Sequence, residues 1–120
     1  MKGDGIHLNL GKCKINIADN PAQLKKVINH LVKLTGLKKL GRGDVQVGAS
    51  YLPGASVCQI IETSHIAIHG FSINSCYDVT IVSCAPFSSR KVISYLRKTL
   101  KPTSMRSQLF KVDTIYRVTK

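Results

Sequence analysis

Apolar and polar residues alternate through GIHLNL, which puts Ile6, Leu8 and Leu10 on one side of an extended segment. Around Gly11 and Lys12 the parity changes to Cys13, Ile15 and Ile17, so a first strand with a bulge or a tight hairpin is expected. The period then lengthens. In ADNPAQLKKVINHLVKLTGL, Asn20 is a capping residue, Pro21 suits the first helical position, and Leu24, Val27, Ile28, Leu31 and Leu34 form one stripe before Gly36. The Gly-rich stretch LKKLGRGDVQVGASYLPGAS predicts loops around one short strand near Val45 to Val47.

SVCQIIE, HIAIHGF and YDVTIVSC follow as three β-branched runs with short breaks between them, the pattern of adjacent antiparallel strands. PFSSRKVISYLRKTLKP reads as a second helix, capped by Ser88 or Ser89, with Val92, Ile93, Leu96 and Leu100 inward and Pro102 closing it. QLFKVDTIYRV supplies a last strand. The order β-α-β-β-β-β-α-β predicts an α+β fold: a two-layer sandwich of an antiparallel sheet with two helices on one face.

A length of 120 residues fits a single domain spanning 1–120. No run approaches the ~18 to 20 apolar residues that cross a bilayer. MKGDGIHLNLGKC lacks the continuous apolar core of a secretory signal, so a cytoplasmic location is expected. The net charge of +12 raises the question of nucleic acid. Its lysines and arginines concentrate in the two helical segments, where solvated faces are expected, and no aromatic-basic motif interleaves them. Nucleic acid is therefore disfavoured as a partner.

Cys13, Cys58, Cys76 and Cys84 lie 45, 18 and 8 residues apart, without the paired spacing of a zinc or dithiol site, and read as reduced thiols. His65 and His69 share a strand, which sets them about 13 Å apart, too far for one metal ion. A Ser/His/Asp hydrolase is also disfavoured, because there is no GxSxG elbow and Glu62 is the only glutamate.

One constellation carries chemistry. YLP at Tyr51 to Pro53, GAS at Gly54 to Ser56, SHIAIH at Ser64 to His69 and VSC at Val82 to Cys84 follow one another, with eight residues from Ser56 to Ser64 and fifteen from His69 to Cys84. This pattern resembles the prokaryotic S-adenosylmethionine decarboxylases, a family of pyruvoyl enzymes. GIHL and SYLRKTLKP resemble the family's opening strand and second helix, so the likeness extends over most of the chain.

The resemblance implies a self-processing proenzyme cut between Thr63 and Ser64, with residues 1–63 as β chain and 64–120 as α chain. Ser64 would become the pyruvoyl cofactor, which forms a Schiff base with the substrate amine and takes up the electrons left by CO₂. By the same likeness His69 assists elimination during processing, Ser56 supports it by hydrogen bonding, Cys84 reprotonates the substrate carbon, and Tyr51 stacks on adenine. A homodimer acting on S-adenosylmethionine in polyamine synthesis is implied.

Two departures bear on this. Thr63 stands where the family has glutamate, which crowds the carbonyl under attack and removes a carboxylate. Gly70 to Ile73 replace the family's Thr-Trp-Pro-Glu, which keeps open a basic amino acid such as arginine or ornithine as substrate, with Asp44 or Asp78 as its carboxylate partner. A non-catalytic homologue that binds or regulates a partner is the remaining alternative. Strict alternation also puts Ser64 and His69 on opposite faces, so a break, twist or bulge near Ser64 is expected.

Overall fold

The computed structural model describes residues 2–113. Its elements are β1 (Lys2–Gly11), α1 (Pro21–Thr35), β2 (Asp44–Val47), β3 (Ala55–Ile61), β4 (Ser64–Phe71), β5 (Cys76–Ser83), α2 (Ser89–Leu100) and β6 (Ser104–Asp113). This is the order the periodicities predict. The strands form one sheet in the order β2-β3-β4-β5-β1-β6, with every pairing antiparallel. The expected last strand begins earlier, at Ser104, and its residues beyond Asp113 lie outside the described region.

Alternation sorts the sheet into two faces. In β4, Ser64, Ile66, Ile68 and Gly70 are buried while His65, Ala67, His69 and Phe71 point the other way. Ile6, Leu8, Val57, Ile61, Val79 and Ile81 share the buried side and form one core with Leu24, Val27, Ile28 and Leu31 of α1 and Val92, Leu96 and Leu100 of α2. Both helices thus cover one face, and α1 packs on β3 and β4.

Local signals set the helix ends. Asn20 Oδ1 accepts the Gln23 N–H at 3.1 Å, Pro21 opens α1, and Gly36 leaves it at φ 72°. Ser88, one of the two expected caps, accepts the Lys91 N–H at 3.2 Å.

The segment after β1 differs from expectation. Lys12 turns the chain at φ 44°, and Cys13 to Ile17 are not a strand. Their backbone groups are taken up elsewhere: Cys13 N–H donates to Ser75 O at 2.8 Å, Lys14 N–H to Lys101 O at 2.9 Å and Ile15 N–H to Leu100 O at 3.2 Å. Tyr77, 1% exposed, completes this tie, its hydroxyl accepting the Ile17 N–H at 2.8 Å and donating to Ile15 O at 2.9 Å. The segment therefore clamps the β4–β5 turn to the end of α2.

Candidate active site

The hairpin between β3 and β4 has only Glu62 and Thr63 as its turn, since Ile61 pairs directly with Ser64. So short a turn needs a positive φ, usually supplied by Gly or Asn. Here Thr63 takes it, at φ 51°. A β-branched residue in the left-handed region costs about 1–2 kcal/mol, so the turn stores strain at Thr63. Its neighbours hold it there. Glu62 Oε1 accepts the Lys38 N–H at 2.8 Å, Glu62 N–H donates to Lys38 O at 3.0 Å, and Thr63 Oγ1 donates to Glu62 O at 2.7 Å.

Strand register brings Cys84 to this turn. His65 pairs with Val82 across β4 and β5, so two further steps set Thr63 beside Cys84. The Cys84 thiol donates to Thr63 O at 3.0 Å, and the Cys84 backbone N–H donates to Ser64 Oγ at 2.8 Å. Ser64 is 6% exposed, and Cys84 is half-buried. Ser83 shapes the approach, its hydroxyl donating to Ala85 O at 2.7 Å in a tight turn. Gly3 lies against this turn so closely that a Cβ would run into Ser83 O. One residue on each side of the Thr63–Ser64 peptide bond is therefore gripped by a single cysteine.

A second cluster lies on the face without helices. Ser56 and His69 are partners across β3 and β4, with Ser56 Oγ 2.7 Å from His69 Nδ1. Asp78 is the partner of His69 on β5, and its Oδ1 is 2.6 Å from His7 Nε2. Sequence reasoning did not find the His7–Asp78 pair: His7 showed only as a polar step in an alternating strand, and its partner is 71 residues away. With Asp78 committed to His7, a cationic substrate would have to compete for that carboxylate. Asp44 lies on the edge strand β2, its Oδ1 accepting from Gln46 Nε2 at 3.4 Å.

The break, twist or bulge expected near Ser64 is not found in β4. β4 pairs without interruption from Ser64 to Phe71, so Ser64 and His69 remain on opposite faces, and the sharp change of direction is the Glu62–Thr63 turn just before the strand. Tyr51, 86% exposed in the β2–β3 loop, stands outside both clusters. Cys58 and Cys76 are half-buried, while burial, reinforced by Cys76, pushes the Cys13 thiol up to about 11, the behaviour of an inert core thiol.

The family model for S-adenosylmethionine decarboxylase matches residues 5–112. The chain belongs to the S-adenosylmethionine decarboxylase family. The crystal structure of the adenosylmethionine decarboxylase from Aquifex aeolicus VF5 has the same fold, with a TM-score of 0.76 over 98% of this chain and 95% of that one, at 16% identity. No curated protein matches the chain. Membership in the S-adenosylmethionine decarboxylase family covers both clusters, since Ser56, Thr63, Ser64, His69 and Cys84 all fall within the matched residues. No helix among the described residues is long and apolar enough to cross a membrane.

Proposed function

We propose that this protein is a pyruvoyl-dependent S-adenosylmethionine decarboxylase of polyamine synthesis, made by self-cleavage between Thr63 and Ser64. The observation that carries the reading is the grip of Cys84 on that bond, thiol to Thr63 O and N–H to Ser64 Oγ. A hydrogen-bond donor already aimed at a carbonyl oxygen stabilises the negative charge that develops when the carbonyl is attacked. The strained Thr63 turn raises the energy of the same bond before it breaks.

In processing, Ser64 Oγ bonds to the Thr63 carbonyl carbon as its proton passes to the departing nitrogen, which turns the amide link into an ester. Loss of the Ser64 Cα proton then expels the Thr63 carboxylate, and water releases ammonia to leave a ketone at position 64. Ser64 fits as source of the group: it begins a strand, is shielded from water, and its only upstream link is the turn that cleavage removes. A pyruvoyl group supplies a carbonyl that takes up a substrate amine and accepts the electron pair left by CO₂. Cys84, hydrogen-bonded beside position 64, would return a proton to the substrate carbon that loses CO₂, and Tyr51 presents an exposed ring face for adenine.

His69 is five residues from Ser64 along a regular strand, about 16 Å, and on the other face. It therefore serves elimination only if another copy brings it. A homodimer joined through the helix-free faces provides this, with His69 of the partner subunit reaching the Ser64 end of the sheet. Ser56 holds the ring through Nδ1 and leaves Nε2 for the proton.

Intact mass under denaturing, reducing conditions tests the reading. The expected result is two chains, 1–63 and 64–120, the latter blocked at its N-terminus, with Ser64→Ala staying whole. Mixed dimers of Ser64→Ala and His69→Ala chains should cleave the His69→Ala chain. A second reading, a non-catalytic homologue, draws on Thr63 in the place of a glutamate and on the absence, among the described residues, of any acceptor for the Ser64 hydroxyl proton. A single full-length mass even after hydroxylamine, which opens esters, would establish it. CO₂ release from carboxyl-labelled S-adenosylmethionine, arginine and ornithine ranks the substrates.

A further inference from the structure

Three cations, Lys25 of α1 and Lys39 and Arg42 of the loop that follows it, line one cavity of about 140 Å³ over the helix-side face of β3. No carboxylate lines it, and among the described residues none of the three cations is in a salt bridge. Like charges gathered without a counter-charge repel one another, and an anion bound among them would offset that repulsion.

The cavity is preorganised. Leu40 N–H donates to Ile60 O at 2.9 Å, and Lys38 and Glu62 exchange hydrogen bonds in both directions, so the loop carrying Lys39 and Arg42 is pinned to β3 and its turn. Gln59, 2% exposed, ties the loop from below, Nε2 donating to Leu40 O at 3.3 Å, Gly41 O at 3.2 Å and Ile60 O at 2.8 Å. Asn29 Oδ1 accepts from Lys39 Nζ at 3.0 Å and holds that ammonium over the cavity.

Size selects the ligand. A buried water needs ~10–15 Å³, so the cavity takes on the order of ten waters or one compact oxyanion. It is well below the ~300–1,000 Å³ of pockets that enclose drug-sized molecules, so it holds a phosphate-sized group and does not enclose a whole nucleotide. One polar atom narrows the choice further. Gln59 Oε1 lies against the cavity wall at Gly43, and among the described residues no donor reaches it. Hydrogen phosphate can donate to that oxygen through its P–OH, while sulfate has no proton to give.

We propose that this cavity, formed by Lys25, Lys39 and Arg42 with Gln59 at its base, binds a phosphate group.

The full-length protein, in buffer without oxyanions, is titrated with sodium phosphate, sulfate or chloride at matched ionic strength, reading heat of binding and Tm. Phosphate should bind saturably, one per chain, and raise Tm more than sulfate or chloride. Each charge-assisted contact is worth roughly ten- to a hundredfold in affinity, so the double variant Lys39→Gln/Arg42→Gln should lose at least about a hundredfold. Its Tm without phosphate should be unchanged or higher. Lys33→Gln/Lys91→Gln, which removes the same charge elsewhere on the helices, should bind phosphate as before. A glycerol phosphate that binds more tightly than inorganic phosphate would assign the site to the end of a metabolite, and one that binds less tightly to the free ion. Phosphate acting no better than chloride, equal binding of sulfate, or equal loss in both double variants would overturn the proposal.

Discussion

Replacing Cys84 with alanine removes the thiol that donates to Thr63 O at 3.0 Å and keeps the backbone N–H that donates to Ser64 Oγ at 2.8 Å. The serine therefore keeps its position, and only the carbonyl under attack loses a partner. Deleting one donor from an oxyanion site costs ~10²–10³ in rate. A thiol is a weaker donor than an amide N–H, so the expected slowing of self-cleavage is about 10- to 100-fold, or roughly 1.4–2.7 kcal/mol in the barrier. The measurement is a time course of intact mass from freshly purified proenzyme, following loss of the full-length species and growth of the 64–120 chain. Cys84→Ser, with a stronger O–H donor at the same place, should recover most of the rate. Cleavage of Cys84→Ala at the wild-type rate would refute the role given to the thiol and leave the backbone N–H as the sole working contact. In processed Cys84→Ala protein, CO₂ release should fall further than cleavage does, because the same thiol returns the proton to substrate.

Three other outcomes follow from the same geometry. Tyr77→Phe leaves the Ile17 N–H and the Ile15 carbonyl without their buried partner, which should cost about 1–3 kcal/mol and lower Tm by several degrees; an unchanged Tm in thermal unfolding would refute the clamp. Gly54 sits at φ 147°, and a Cβ there would run into the Gly70 carbonyl, so Gly54→Ala should destabilise by at least ~2 kcal/mol and slow processing by displacing Ser56, read by urea unfolding and intact mass. The hydrogen bond from Lys111 holds the Asp4 carboxyl below its ordinary value, with help from the Phe87 N–H and against a smaller effect of burial. A lowered folded-state value means that this stabilisation is present above the unfolded pKa of about 3.9 and is lost as pH falls through the folded one. Lys111→Met should accordingly move the acid-unfolding midpoint to higher pH by circular dichroism, and an unmoved midpoint would refute it.

The elements were legible because their causes are local. Period-two and period-3.6 patterns, the Asn20 and Ser88 caps and Gly36 act within a few residues of themselves, so the order of strands and helices and the face that each strand buries follow from neighbours in the chain. Alternation likewise puts Ser64 and His69 on opposite faces, and the structure keeps them there by pairing β4 regularly from its first residue. The motif order from Tyr51 to Cys84 was enough to point to the family, which the match over residues 5–112 shows.

What the chain alone could not specify depends on register and on partners far away in sequence. Cys13 to Ile17 alternate like a strand, yet their N–H groups are claimed by Ser75, Lys101 and Leu100, so a competing set of hydrogen bonds overrides the pattern. His7 finds Asp78, and Lys25 finds Arg42, only after strands and loops have been laid side by side. Cys84 could be nominated from its place at a strand end. Its thiol meets Thr63 O, and its N–H meets Ser64 Oγ, because β4 and β5 pair with His65 opposite Val82. A shift of one residue in that register would turn the thiol to the other face and leave the peptide bond without its donor.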